Sequence, residues 1–111
     1  MLIINPETSA VSISGASNKS NISNAEYVYL QNTKSKDSAN GTIFIVVKTA
    51  ADVTKSIFAL GTNGSIILKK DKTDTVYSGT GINGGGGQSN EAGCAATKIS
   101  NPAFTSDILY S

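Results

Sequence analysis

Between residues 26 and 77 the chain writes one pattern several times over: a short run of β-branched and aromatic residues, then a cluster of turn formers. Glu26-Tyr27-Val28-Tyr29-Leu30-Gln31 is the first run and Gly41-Thr42-Ile43-Phe44-Ile45-Val46-Val47-Lys48-Thr49 the second. The second is too short and too β-branched for a helix, and it predicts a central strand buried on both faces or nearly so. Residues 54–60, anchored by Ile57 and Phe58, then 65–70 and 75–78, read as further strands. Their connections are Ala50-Ala51-Asp52-Val53, Gly61-Thr62-Asn63-Gly64 and Asp71-Lys72-Thr73-Asp74. Connections this short predict consecutive strands paired as an antiparallel meander. Asn63-Gly64 supplies residues that tolerate the positive φ of a tight turn.

The expected fold is therefore all-β: a single small antiparallel β-sandwich or barrel-like domain with a central meander. The whole chain, 1–111, reads as one domain, since its length suits one core of modest size. Residues 1–24 form an N-terminal arm with edge strands at 2–4 and 10–14, the latter from the alternation Ala10-Val11-Ser12-Ile13-Ser14, and a polar loop at 15–24. Residues 25–78 are the meander core, interrupted by a polar loop at 32–40. Residues 79–92 are a Gly-rich loop. Residues 93–111 hold a final strand at 93–100, stopped by Asn101-Pro102, and an apolar tail.

Composition bears on function mainly by exclusion. The chain has no His and no Arg, and its nine basic residues are all Lys, against eight acids. Nucleic-acid binding leans on arginine for bidentate contacts, and the one lysine cluster, Lys69-Lys70 with Lys72, is interleaved with Asp71 and Asp74. No nucleic acid is expected as a partner. The single cysteine, Cys94, forms no internal disulfide and lacks a histidine base, so it reads as a small buried apolar residue. The opening Met1-Leu2-Ile3-Ile4-Asn5-Pro6 lacks the basic region and length of a signal peptide, no segment has the length of a membrane span, and no membrane partner is expected. The Asn-x-Ser/Thr triplets at Asn18, Asn21, Asn40 and Asn63 read as incidental.

Gly79-Thr80-Gly81-Ile82-Asn83-Gly84 fits the spacing of a dinucleotide fingerprint. The third glycine, however, opens Gly84-Gly85-Gly86-Gly87, which opposes the helix such a site needs, so a loop is expected. Asp71 and Asp74 could be paired as hydrolytic carboxylates, but aspartates in turns more often bond the local backbone. The ligand density of a calcium loop and the ligand set of a zinc site are both missing. The expectation is a non-enzyme with no cofactor and no metal.

The block resembles small virion structural proteins of tailed bacteriophages, particularly marine ones. The resembling features are Tyr27-Val28-Tyr29-Leu30-Gln31-Asn32, the valine-rich Val46-Val47-Lys48, Ile57-Phe58-Ala59-Leu60 before a glycine turn, Ser65-Ile66-Ile67-Leu68-Lys69-Lys70 leading into Thr73-Asp74-Thr75-Val76, and Cys94-Ala95-Ala96-Thr97-Lys98-Ile99. They span roughly residues 25–105, with 32–40 and Gly84 to Gly87 as insertions relative to the pattern. The resemblance implies a β-sandwich capsid decoration or cement protein, made in the host bacterial cytoplasm and carried on the virion, with the major capsid protein or other virion proteins as partners and a homo-oligomer, such as a trimer, conceivable. On that reading the contact residues are Leu2, Ile3 and Ile4 in the arm, Gly84, Gly85, Gly86 and Gly87 in the loop, and Phe104, Leu109 and Tyr110 in the tail. The alternatives are a phage neck or tail component, or a receptor- or glycan-binding adhesin module. Tyr27 and Tyr29, two apart and so on one strand face, would be the adhesin's contacts.

Overall fold

β-branched and aromatic side chains sit well on a pleated strand and poorly on a helix, and the chain folds accordingly. The computed structural model describes residues 2–33, 41–79 and 93–104. Among them the strands are β1 (Leu2–Ile3), β2 (Val11–Ser12), β3 (Tyr27–Asn32), β4 (Ile43–Lys48), β5 (Thr54–Leu60), β6 (Ser65–Lys69), β7 (Thr75–Gly79), β8 (Cys94–Ile99) and β9 (Ala103–Phe104), with a single 3-10 turn at Ala16–Asn18. The fold is all-β and the strands pair antiparallel.

The strands do not form the expected meander. One sheet runs β2-β8-β3-β6, a second β5-β4-β7, and a two-stranded ribbon pairs β1 with β9. Among the described residues only β4 and β5 are both consecutive and paired. From β3 the chain crosses to the second sheet for β4 and β5, returns for β6, crosses again for β7 and returns for β8. The cause lies in β4. Ile43, Ile45, Val46 and Val47 are all buried, so this strand needs apolar cover on both faces. A lone sheet would leave these side chains in water, whereas a second sheet lets Ile43 and Ile45 join one apolar cluster with Val28 and Leu30 of the first. The turn formers at 61–64 and 71–74 work as corners between sheets, while 50–53 closes the β4–β5 hairpin. In the 61–64 connection Asn63 takes φ 62° and the Gly64 N–H donates to the Gly61 carbonyl at 2.8 Å. A Cβ on Gly64 would stand 2.8 Å from that same oxygen, so the corner needs glycine there.

Strand β3 shows the period of two that the core demands: Val28, Leu30 and Asn32 are buried while Tyr27 and Tyr29 are half-buried on the other face. The buried apolar cluster draws on both larger sheets, with Val28, Leu30, Cys94 and Ala96 from one and Ile43, Ile45, Leu60 and Val76 from the other.

The segment at 15–24, expected as a polar loop, sends Ile22 into this core, just after Ile13. Ile13 is fully buried and Ile22 nearly so. The Ile13 N–H donates to Cys94 O at 3.1 Å in one sheet, while its own carbonyl accepts from Ser78 N at 2.9 Å in the other. Ser20 and Val76 then exchange both backbone bonds, at 3.1 and 2.9 Å. This stretch covers the β7 edge, which would otherwise present unpaired backbone groups. Only Val11–Ser12 of the expected strand at 10–14 pairs as a strand.

Cys94 is buried and free, and burial pushes its thiol up to about 12. Only the thiolate is an effective nucleophile, so Cys94 should resist alkylation by iodoacetamide in the native protein and react fully in urea. Rapid native labelling, followed by intact mass, would contradict this burial.

Candidate functional site: a polar cleft on a lysine-braced turn

The candidate site begins with a turn of rare handedness. Ile22, Ser23 and Asn24 all adopt positive φ, at 53°, 56° and 57°. Left-handed backbone costs a non-glycine residue roughly 1–2 kcal/mol. The turn is closed by Ala25 N–H donating to Asn21 O at 3.1 Å, and Asn24 is held to Asn21 by side-chain bonds at 3.0 and 3.1 Å. Burial of Ile22 helps to offset the strain.

The stronger brace comes from β6. Lys70 lies just past that strand and is only 6% exposed. Its ammonium donates to Ala25 O at 2.7 Å, Asn21 O at 3.0 Å and Asp71 O at 3.2 Å, so a single buried cation gathers both ends of the turn. Burial lowers its proton affinity below the usual lysine value, with Asp74 and Asp71 opposing. Lys70 thus serves the fold and is not offered to phosphate.

The two aspartates of the 71–74 turn are committed as well. Lys55 of β5 donates to Asp74 at 2.8 Å and reaches Asp71 at 3.3 Å. Asp71 N–H donates to the Asp74 carboxylate at 3.2 Å, and Asp74 N–H to Asp71 O at 3.0 Å. The Lys55 hydrogen bond holds the Asp74 carboxyl below the usual carboxylate range, burial opposing it. A lowered carboxylate stabilises the fold above its unfolded value near 3.8 and ceases to do so as pH falls through the folded value. The thermal midpoint should therefore fall on acidification below about pH 4, and Asp74→Asn should flatten that limb. Asp52 is likewise lowered, by a hydrogen bond from Lys19, but its side chain is 56% exposed. Asp52→Asn should then change the limb less, because water screens an exposed pair. A midpoint-against-pH series in which Asp52→Asn had the larger effect would reverse this assignment.

Against the braced turn lies an open cleft of about 380 Å³. Glu26 and Tyr27 enter it from the start of β3, Lys98 and Ile99 from the end of β8, and Asn24 from the turn. The N-terminal arm supplies Glu7, held by its N–H to Lys98 O at 2.8 Å and by the Pro6–Ile99 bridge. Lys72, Ser100 and Asn101 complete the rim. Two carboxylates thus face two ammonium groups at long range, Lys72 to Glu26 at 3.8 Å and Lys98 to Glu7 at 3.9 Å. Glu7 also accepts from the Ser100 hydroxyl at 3.0 Å, and Lys98 donates to Ser23 O at 3.1 Å. The Lys69 ammonium stands 5.9 Å from the Tyr27 ring centre.

Those residues expected as partner contacts that are described fall elsewhere. Leu2 and Ile3 form β1 and pair with Phe104 and Ala103 of β9, so the arm and the start of the tail come together as one ribbon. Ile4 is half-buried beside it. Gly84, Gly85, Gly86, Gly87, Leu109 and Tyr110 lie outside the described residues. Sequence reasoning missed Lys70, although the signal was there: it stands two residues on from Leu68, which packs against the core, and period two aims it inward. Glu7 and Lys98 had no such signal, since 90 residues lie between them. Compared with known proteins, the chain matches no family model, no curated protein and no solved structure.

Proposed function

We propose that this domain is a non-catalytic virion structural protein that decorates the outer surface of a bacteriophage capsid and bridges neighbouring capsid subunits. The observation that carries the reading is the β1–β9 ribbon. It is a sheet of its own, built from Leu2 and Ile3 paired with Phe104 and Ala103. Two strands alone are marginal in water and gain stability against a further surface. An apolar ribbon beside two larger sheets suits a protein that docks on a repeating shell, where many weak contacts between copies already held close add up. In this reading the two larger sheets face each other as an open sandwich, with the shared apolar cluster between them, and serve as a rigid mount.

Quantitative mass spectrometry of purified particles tests the proposal. One copy per capsid subunit, or one per few, supports shell decoration. About a dozen copies, the number a symmetric ring would hold, would move the protein to the neck or tail. Absence from particles would overturn the virion reading. In a binding assay with undecorated particles, the pair Leu2→Asp and Ile3→Asp should abolish association, with a thermal melt of the isolated domain checking that it still folds. Unchanged binding would remove the ribbon from the contact.

A further inference from the structure

We infer that the polar cleft between the N-terminal arm, the left-handed turn and the start of β3 binds an uncharged saccharide. This goes beyond shell decoration and does not depend on it. The chemistry of the walls points to the ligand class. Glu7 and Glu26 offer acceptors, Lys72 and Lys98 offer donors, and Asn24 and Asn101 offer both. Vicinal hydroxyls, each at once donor and acceptor, match such an alternation.

The balance of charge narrows the class further. Two carboxylates and two ammonium groups cancel, so the cleft attracts neither anions nor cations at long range. The ion pairs at 3.8 and 3.9 Å are longer than a hydrogen bond, so a hydroxyl can bridge the two partners from the side without first breaking a tight contact between them. Tyr27 adds the one aromatic ring of the lining, on which the apolar face of a sugar can rest. The volume lies at the low end of small-molecule sites, suiting a terminal sugar rather than a long chain. Backbone bonds hold the walls in place: Glu7 N to Lys98 O at 2.8 Å, Ser100 N to Asn5 O at 3.0 Å and Lys70 N to Glu26 O at 2.9 Å.

Saturation-transfer NMR on the intact chain provides the test. The probes are glucose, galactose, mannose, N-acetylglucosamine, maltose and lactose, with glycine betaine as a zwitterionic control. At least one saccharide should give transfer, and its affinity should hold from low to high salt because no net charge is matched. Tyr27→Ala should weaken it by up to about tenfold, the effect of one lost ring contact. Glu26→Ala, at an exposed position, guards against a folding defect and should weaken it by a similar factor. Tyr29→Ala, on the same strand face but outside the cleft, should leave binding unchanged. Transfer to no saccharide, transfer to betaine alone, or saccharide binding indifferent to both Tyr27→Ala and Glu26→Ala would each overturn the inference.

Discussion

Lys70→Met should lower the thermal midpoint by on the order of 10 °C, the shift expected for about 2–3 kcal/mol in a domain of this size. Methionine fills the channel of the lysine stem but donates nothing. The carbonyls of Ala25, Asn21 and Asp71 then lose the ammonium that gathers them. The three positive-φ residues between Asn21 and Ala25 also lose their brace, so less opposes the strain at Ile22, Ser23 and Asn24. Linkage provides a second readout. Burial holds the Lys70 ammonium below its ordinary value of 10.5. The unfolded chain then binds more protons than the native one between the lowered value and 10.5, so native stability gains as pH rises through that window. The methionine variant lacks that gain, and its deficit should widen toward alkaline pH. Thermal melts of the two proteins across pH check both points; a midpoint within 2 °C of the parent would show that the buried ammonium contributes little, since about 4 °C corresponds to 1 kcal/mol here.

Asn32→Leu should be comparably damaging. Asn32 ends β3, is only 6% exposed, and donates from its amide to Gly41 O at 2.7 Å and to Leu60 O at 3.0 Å. Its backbone N–H donates to Gly64 O at 2.9 Å. One residue of the four-stranded sheet thus binds the approach to β4, the end of β5 and the corner between β5 and β6. Leucine has similar volume but leaves the Leu60 carbonyl, at a buried contact, and the Gly41 carbonyl, at a part-buried one, without these donors, at about 1–3 kcal/mol for the buried one and less for the other. Asn32→Asp should be worse at neutral pH, since it sets a buried negative charge against two carbonyl oxygens. Its carboxyl is then forced above the ordinary carboxylate value, so the variant should regain stability as pH falls. Urea unfolding at neutral and mildly acidic pH measures both. An Asn32→Asp protein as stable as its parent at neutral pH would mean that the amide does not link the sheets.

These two side chains show where the fold and the site were legible and where they were not. The strands were readable because the signal is local. The apolar run from Ile43 to Val47 became a largely buried central strand, and Thr54–Leu60 has the limits its residues predict. The turn at Asn63 was readable because Asn and Gly tolerate positive φ. Pairing was not readable, because a short turn can serve a hairpin or a corner. What decides is which strands the assembled core brings beside β4, and residue type does not encode that. Ile22 lies in a turn, as its polar neighbours imply, but its burial was not readable, because it depends on the core residues that the folded chain gathers around it.

By itself, then, the sequence determined the class of structure and the side-chain chemistry: all-β through branched and aromatic runs at strand spacing, and no histidine or arginine chemistry through composition. Only the tertiary structure decided which strands are neighbours, that Lys70 is a buried brace, and that Glu7, Glu26, Lys72 and Lys98 share one cleft. The physical reason is one of range. Propensity and period act over a few residues, whereas burial and the meeting of distant charges depend on which surfaces the folded chain brings into contact.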